Sequence, residues 1–124
     1  MAAFARNRQG ERIIYIGIIN PNPDWSIAAH RHNIHEMIII LGGRMKLSAN
    51  GETITARSGD VLFYPRGLVH EECSDRDDPV ETRFIGFDDE DATPPPDLPL
   101  VSHDRHGRIR HLANWLYAER DLCA

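Results

Sequence analysis

Residues 30–43 read His30-Arg31-His32-Asn33-Ile34-His35-Glu36-Met37-Ile38-Ile39-Ile40-Leu41-Gly42-Gly43, and residues 59–70 read Gly59-Asp60-Val61-Leu62-Phe63-Tyr64-Pro65-Arg66-Gly67-Leu68-Val69-His70. These two blocks carry three histidines and one carboxylate at spacings that a small β-barrel can bring to one point inside its wall. His30 and His32 are two apart, so on one strand they face the same way. Glu36 shares their parity, although a turn between them would change its facing. His35 has the opposite parity to Glu36 and is read as lying outside the cluster, at a rim. His70 arrives from a separate strand after Pro65 and Gly67. Three imidazoles and one carboxylate make a sound shell for one divalent transition metal. Ligand type alone does not choose among Zn, Fe, Mn and Ni. Taken singly, each of the four is a polar residue with hydrogen-bond partners; the weight lies in the set.

Outward from these blocks, the chain reads as short strands joined by turn residues. Residues 13–19 are a compact β-branched run, ended by Asn20-Pro21-Asn22-Pro23. Strands are expected at 25–32, 36–41, 44–49, 52–56, 61–64, 69–73 and 80–87. Asn50-Gly51 is the strongest hairpin signal, because a type I′ turn needs positive φ at both central residues. Eight or nine such strands predict an antiparallel double-sheet barrel. The acidic run Asp88-Asp89-Glu90-Asp91 and the stretch Thr93-Pro94-Pro95-Pro96 then form a connection that cannot be helix or central strand. From residue 104 to 122 the period turns helical. Ile109, Leu112, Leu116 and Tyr117 form a stripe with Ala113 on the same side, and Asp104 is placed to cap the start. The expected organisation is a barrel over 1–87, a connection over 88–102 and an amphipathic helix over 103–124.

Composition narrows the function classes. The chain has 124 residues, which suits one domain with a real core, and its 41% hydrophobic and 27% charged residues are ordinary for a globular protein. A net charge of −5 gives no sign of a nucleic-acid surface, and the Arg105, Arg108 and Arg110 cluster reads as a solvated face. Cys73 and Cys123 have no CxxC partner, so reduced thiols are the expectation. The N-terminal residues show no apolar signal region, and no apolar run is long enough to span a bilayer. A cytoplasmic location without membrane contact is the expectation. His103, His106 and His111 read as solvated residues around the helix start.

The two blocks closely resemble the paired motifs of the cupin superfamily. His30, His32, Glu36 and Gly43 fit the first motif without a gap, and Gly59, Pro65, Gly67 and His70 fit the second. Asp24 stands where the family has an opening glycine and Ser74 where it has a closing asparagine, which leaves the local turns open but not the ligand set. The resemblance implies an all-β fold, a cupin-type jelly-roll barrel with a C-terminal α-helix. The order of barrel, acidic and Pro-rich connection and helix is most similar to the N-terminal half of AraC-type transcriptional regulators. So are residues 59–70 and Arg83-Phe84-Ile85-Gly86-Phe87. In that group the barrel holds a small effector, and the helices after it mediate dimerisation and signal to a DNA-binding half.

That resemblance implies a metal-binding sensor domain for a small polar effector, with Tyr15, Trp25 and Tyr64 as effector contacts beside His30, His32, Glu36 and His70. A sugar or carboxylate that completes the metal's coordination is one form such an effector takes. No helix-turn-helix half lies within residues 1–124, so an excised sensor or a stand-alone relative is expected, forming a homodimer and touching no nucleic acid itself. The alternative is a small metal-dependent enzyme, a dioxygenase or isomerase, for which Tyr15, Tyr64 and His35 are the available acid–base groups. The helix stripe has two places to pack, the chain's own barrel or the same helix of a second chain.

Overall fold

The run Met37-Ile38-Ile39-Ile40-Leu41 has no polar face, so a strand made from it has to be covered on both sides. The computed structural model, which describes residues 12–88 and 99–123, does this by placing that strand centrally. Its strands are β1 (Arg12–Ile19), β2 (Ser26–His30), β3 (His35–Gly42), β4 (Arg44–Ala49), β5 (Glu52–Arg57), β6 (Asp60–Tyr64), β7 (His70–Ser74), β8 (Glu81–Asp88) and β9 (Val101–His103). They pair antiparallel into a five-stranded sheet, β1-β8-β3-β6-β9, and a four-stranded sheet, β2-β7-β4-β5. The expected all-β jelly-roll with a C-terminal helix is therefore the fold observed.

Alternation along β3 divides its side chains between two layers. Ile38 and Ile40 point between the sheets and join Met45, Leu47, Leu62, Tyr64 and Val80 in the main core. Ile39 and Leu41 point outward and join Val61 in a second cluster, which is completed by Ala113. Ala113 belongs to helix α1 (Arg108–Ala118) and is the helix's one buried residue. The helix thus covers the outer face of β3 and its neighbours.

Several expectations shift in detail. The helix is shorter than the 104–122 its periodicity suggests, and a separate 3₁₀ turn, Arg120–Cys123, follows it. The N-cap position is Gly107, but the carboxylate of Asp104, three residues earlier, accepts first-turn N–H bonds from Arg110 at 2.9 Å and Ile109 at 3.3 Å, which hold it below the usual range. The stripe is split by docking: Leu116 and Tyr117 are half-buried, while Leu112 and Trp115 are 56% and 61% exposed. β9, in a stretch expected to be connection, pairs with the edge of β6. The acidic and proline run from 89 to 98 lies outside the described residues.

The two motif departures are absorbed locally. The hydroxyl of Ser74 accepts the buried N–H of Val80 at 2.8 Å, closing the loop between β7 and β8. Asp24 forms an exposed ion pair with Arg76 at 2.7 Å. Gly43 of the first motif has φ +71, and an added Cβ would lie 2.0 Å from the carbonyl oxygen of Pro79, so glycine is required there. Among the described residues no helix is long and apolar enough to cross a membrane.

Candidate functional site

Two rows of residues face each other at one end of the barrel. On the five-stranded sheet, register places Tyr15 opposite Gly86, Gly86 opposite Glu36, and Glu36 opposite Tyr64. Gly86 is the enabling residue, because a Cβ there would lie 2.3 Å from the ring of Tyr15. Across that gap the hydroxyl of Tyr15 donates to Glu36 Oε2. On the four-stranded sheet, His30 pairs with His70 across β2 and β7. Glu72 follows two residues later on β7 and faces the same way.

The histidines are oriented by their own backbone. The Nδ1 of His30 lies 2.9 Å from the carbonyl of Ala28, and the Nδ1 of His70 lies 2.9 Å from that of Leu68. A carbonyl only accepts, so each ring carries a proton on Nδ1 and turns its Nε2 into the site. That second hydrogen bond is what holds a metal-ligating imidazole in place. His70 is 1% exposed, and the ring of Tyr64 stacks on it at 4.0 Å. Burial pulls the His70 pKa down to about 4, with the neighbouring His30 and His32 pulling the same way against the Leu68 bond. The ring is therefore neutral near pH 7.

His32 reaches the cluster by a route other than the one expected. β2 ends at His30, so His32 lies past the strand, in the loop before β3, rather than on a shared strand face. Its Nε2 is nevertheless 3.1 Å from His30 Nε2 and 3.8 Å from Glu36 Oε2. Two donors on adjacent positions of one ion, each about 2.1 Å from it, are about 3.0 Å apart, so the imidazole spacing suits a shared cation. Ligand atoms of His30, His32 and His70 lie within 4.8 Å of one another, and so do those of Glu36, His70 and Glu72. His70 joins the two groups. Among the described residues its Nε2 and the Oε2 of Glu72 are buried without a hydrogen-bond partner. Buried polar atoms without partners are costly and call for one, and this nitrogen- and oxygen-rich set fits a divalent ion.

Glu72 is the residue that sequence reasoning missed. It is 5% exposed, and burial, with Glu36 nearby adding to it, pushes its carboxyl up to about 8. Parity with His70 on a short strand was the available signal. Tyr15 and Tyr64 are both raised above the usual phenol range, chiefly by burial, so both keep their protons. Tyr15 and Trp25 line a cavity of about 540 Å³ together with Ile16, Ile19, Ile38 and Phe84. His30, His32, Glu36 and Glu72 form its polar end. Tyr64, expected beside Tyr15 and Trp25, sits behind His70 and is 1% exposed. His35 lies off the cluster, as its parity implies, but it is buried rather than at a rim. It accepts the Arg66 N–H at 3.0 Å and stacks on Phe63.

Comparison with known proteins agrees with this architecture. The family model for the AraC-like ligand binding domain matches residues 14–117. No curated protein sequence matches. Among solved structures, the protein YhaK from Escherichia coli aligns with a TM-score of 0.59 at 18% identity, covering 74% of this chain and 41% of that one. A cupin protein from Bacteroides fragilis aligns with a TM-score of 0.52 at 21% identity, covering 67% and 70%. The SPY1581 protein from Streptococcus pyogenes aligns at 0.51 and 19% identity, covering 68% and 69%. This chain thus spans about two-fifths of the length of YhaK, and the likeness to all three is one of fold.

Proposed function

The chain belongs to the AraC-like ligand binding domain family, and from that premise we propose that it is a metal-dependent sensor of a small molecule, serving a transcriptional regulator in the cytoplasm. The observation that carries the metal reading is the orientation of His30 and His70. Each spends its Nδ1 proton on a carbonyl two residues back and leaves Nε2 aimed at the cluster. His30, His32, Glu36 and His70 would hold the ion. A bound divalent ion supplies a Lewis-acidic position for an oxygen or nitrogen donor of the effector.

This chain's residues do the rest. Tyr15 keeps its proton and fixes Glu36 through it, which orients the carboxylate toward His32. Tyr64 packs behind His70 and holds its ring. Ile16, Ile38, Trp25 and Phe84 give the effector's body a dry wall, while the polar end fixes its head. On the far side of the five-stranded sheet, Ile109, Leu112 and Trp115 leave an exposed apolar stripe on a docked helix. That stripe suits a homodimer through the helix, the place from which a regulator would pass on occupancy of the barrel.

The test is a thermal-shift screen of small polar compounds against metal-loaded and metal-free protein. A sensor shows a ligand that raises the melting temperature of the loaded form and is recovered unchanged. Turnover of a compound, such as oxygen uptake with it, would instead support the enzyme reading, in which the Tyr15 hydroxyl is the proton-bearing group nearest Glu36.

A further inference from the structure

We infer that Glu72 is a fifth protein donor to the metal centre, so that the shell is three imidazoles and two carboxylates. The inference rests on the metal reading above and goes beyond it. Three observations carry it. Glu72 is 5% exposed and sits on the same face of β7 as His70, with Oε1 3.7 Å from His70 Nε2. Its Oε2 is buried without a partner. Finally, its ligand atom lies within 4.8 Å of those of both Glu36 and His70.

Charge decides what such an arrangement is for. Glu36 and Glu72 are both buried and both line the cavity, and among the described residues no lysine or arginine lines it. Burying two carboxylates near each other without a cation is strongly unfavourable. Tyr15 satisfies one oxygen of Glu36, but among the described residues no donor satisfies the free oxygen of Glu72. A divalent ion next to His70 removes both problems, since the two carboxylates then balance its charge.

Two consequences follow for the effector. Were the ion six-coordinate, five protein donors would leave about one position, and the effector would bind through a single atom rather than as a chelate. A centre already neutralised by two carboxylates also gains little from a third anion. A hydroxyl or amine on an apolar body is then the matching ligand class, and it suits the isoleucine and aromatic wall of the cavity.

The test compares wild type with Glu72→Gln, which keeps the shape, and Glu71→Gln, a control on the exposed face of the same strand. Each is stripped, reloaded with Mn(II) or Co(II) and titrated with a competing chelator, and the visible spectrum of the Co(II) form is recorded. Glu72→Gln is expected to weaken metal binding by about tenfold or more. It should also raise the intensity of the Co(II) absorption as the coordination number falls, while Glu71→Gln matches wild type. Melting of the metal-free forms checks folding, and near pH 6.5 metal-free Glu72→Gln should melt close to wild type, because Glu72 holds its proton there and the amide keeps its shape. If wild type and Glu72→Gln load with equal affinity and identical spectra, Glu72 is not a donor. If wild type takes up neither ion, the metal reading itself fails, whatever Glu72 does.

Discussion

The two ends of the barrel interior are built from the same strands and behave in opposite ways. β3 contributes Glu36 at one end and Ile38 and Ile40 at the other, all on one face. At the apolar end, Ile40, Met45, Leu62 and Val80 are all fully enclosed. Their burial is what stabilises the fold. At the polar end, His70 and Glu72 are also buried, yet among the described residues each has an atom without a partner. Such groups detract from stability until something binds them. The difference teaches that the strands serve as a scaffold at one end and as a preorganised, unsatisfied site at the other.

The largest effect is expected at the apolar end. Ile40→Ala removes a completely enclosed side chain and should cost about 2–5 kcal/mol in urea denaturation, with or without metal. A loss that depended on metal would show that the two ends are energetically coupled.

A smaller effect should separate the polar end by pH. Glu72 has a folded pKa of about 8, above its ordinary 4.5. Between those values the folded metal-free chain holds a proton that the unfolded chain has released, so stability falls as pH rises. His70 has a folded pKa of about 4, below its ordinary 6.5. Between those values the unfolded chain holds the extra proton, so stability rises with pH. The two oppose each other up to 6.5, and above it Glu72 acts alone until about 8. The melting temperature of metal-free protein should therefore drop between pH 6.5 and 8, and Glu72→Gln should flatten that drop. An equal drop in the variant would place the titrating group elsewhere.

The smallest effect on stability is expected outside both ends. Leu112→Asp with Trp115→Asp changes exposed positions and should shift folding by only about 0.5 kcal/mol. Light scattering should nevertheless show a dimeric wild type and a monomeric double variant. A variant that stays dimeric would move the interface onto the barrel.

Much of this was legible in the sequence because alternation governs strands. His30 and Glu36 line the cavity and His70 pairs with His30, as the motif spacing implies, although the loop between β2 and β3 interrupts the parity of His30 and Glu36. The Asn50-Gly51 turn forms where expected, with φ of 53 and 77. Parity was less informative where the chain leaves a strand. His32 reaches the cluster from a loop, a placement set by tertiary packing rather than by period. His35 follows parity off the cluster, but its burial against Phe63 depends on β6, which no local pattern reveals. Glu72 obeyed parity with His70, yet it falls outside the motif positions and went unread. On the helix, period alone could not say which part of the apolar stripe docks. Ala113, the smallest residue on it, is the one that lets the helix approach β3.

Elemental analysis of purified protein, before and after reconstitution with Zn, Mn, Fe and Ni salts, tests the metal-dependent sensor most directly. Close to one ion per chain is expected, sharply reduced by His32→Ala and unchanged by His106→Ala. A reconstituted wild type that carries no metal would contradict it.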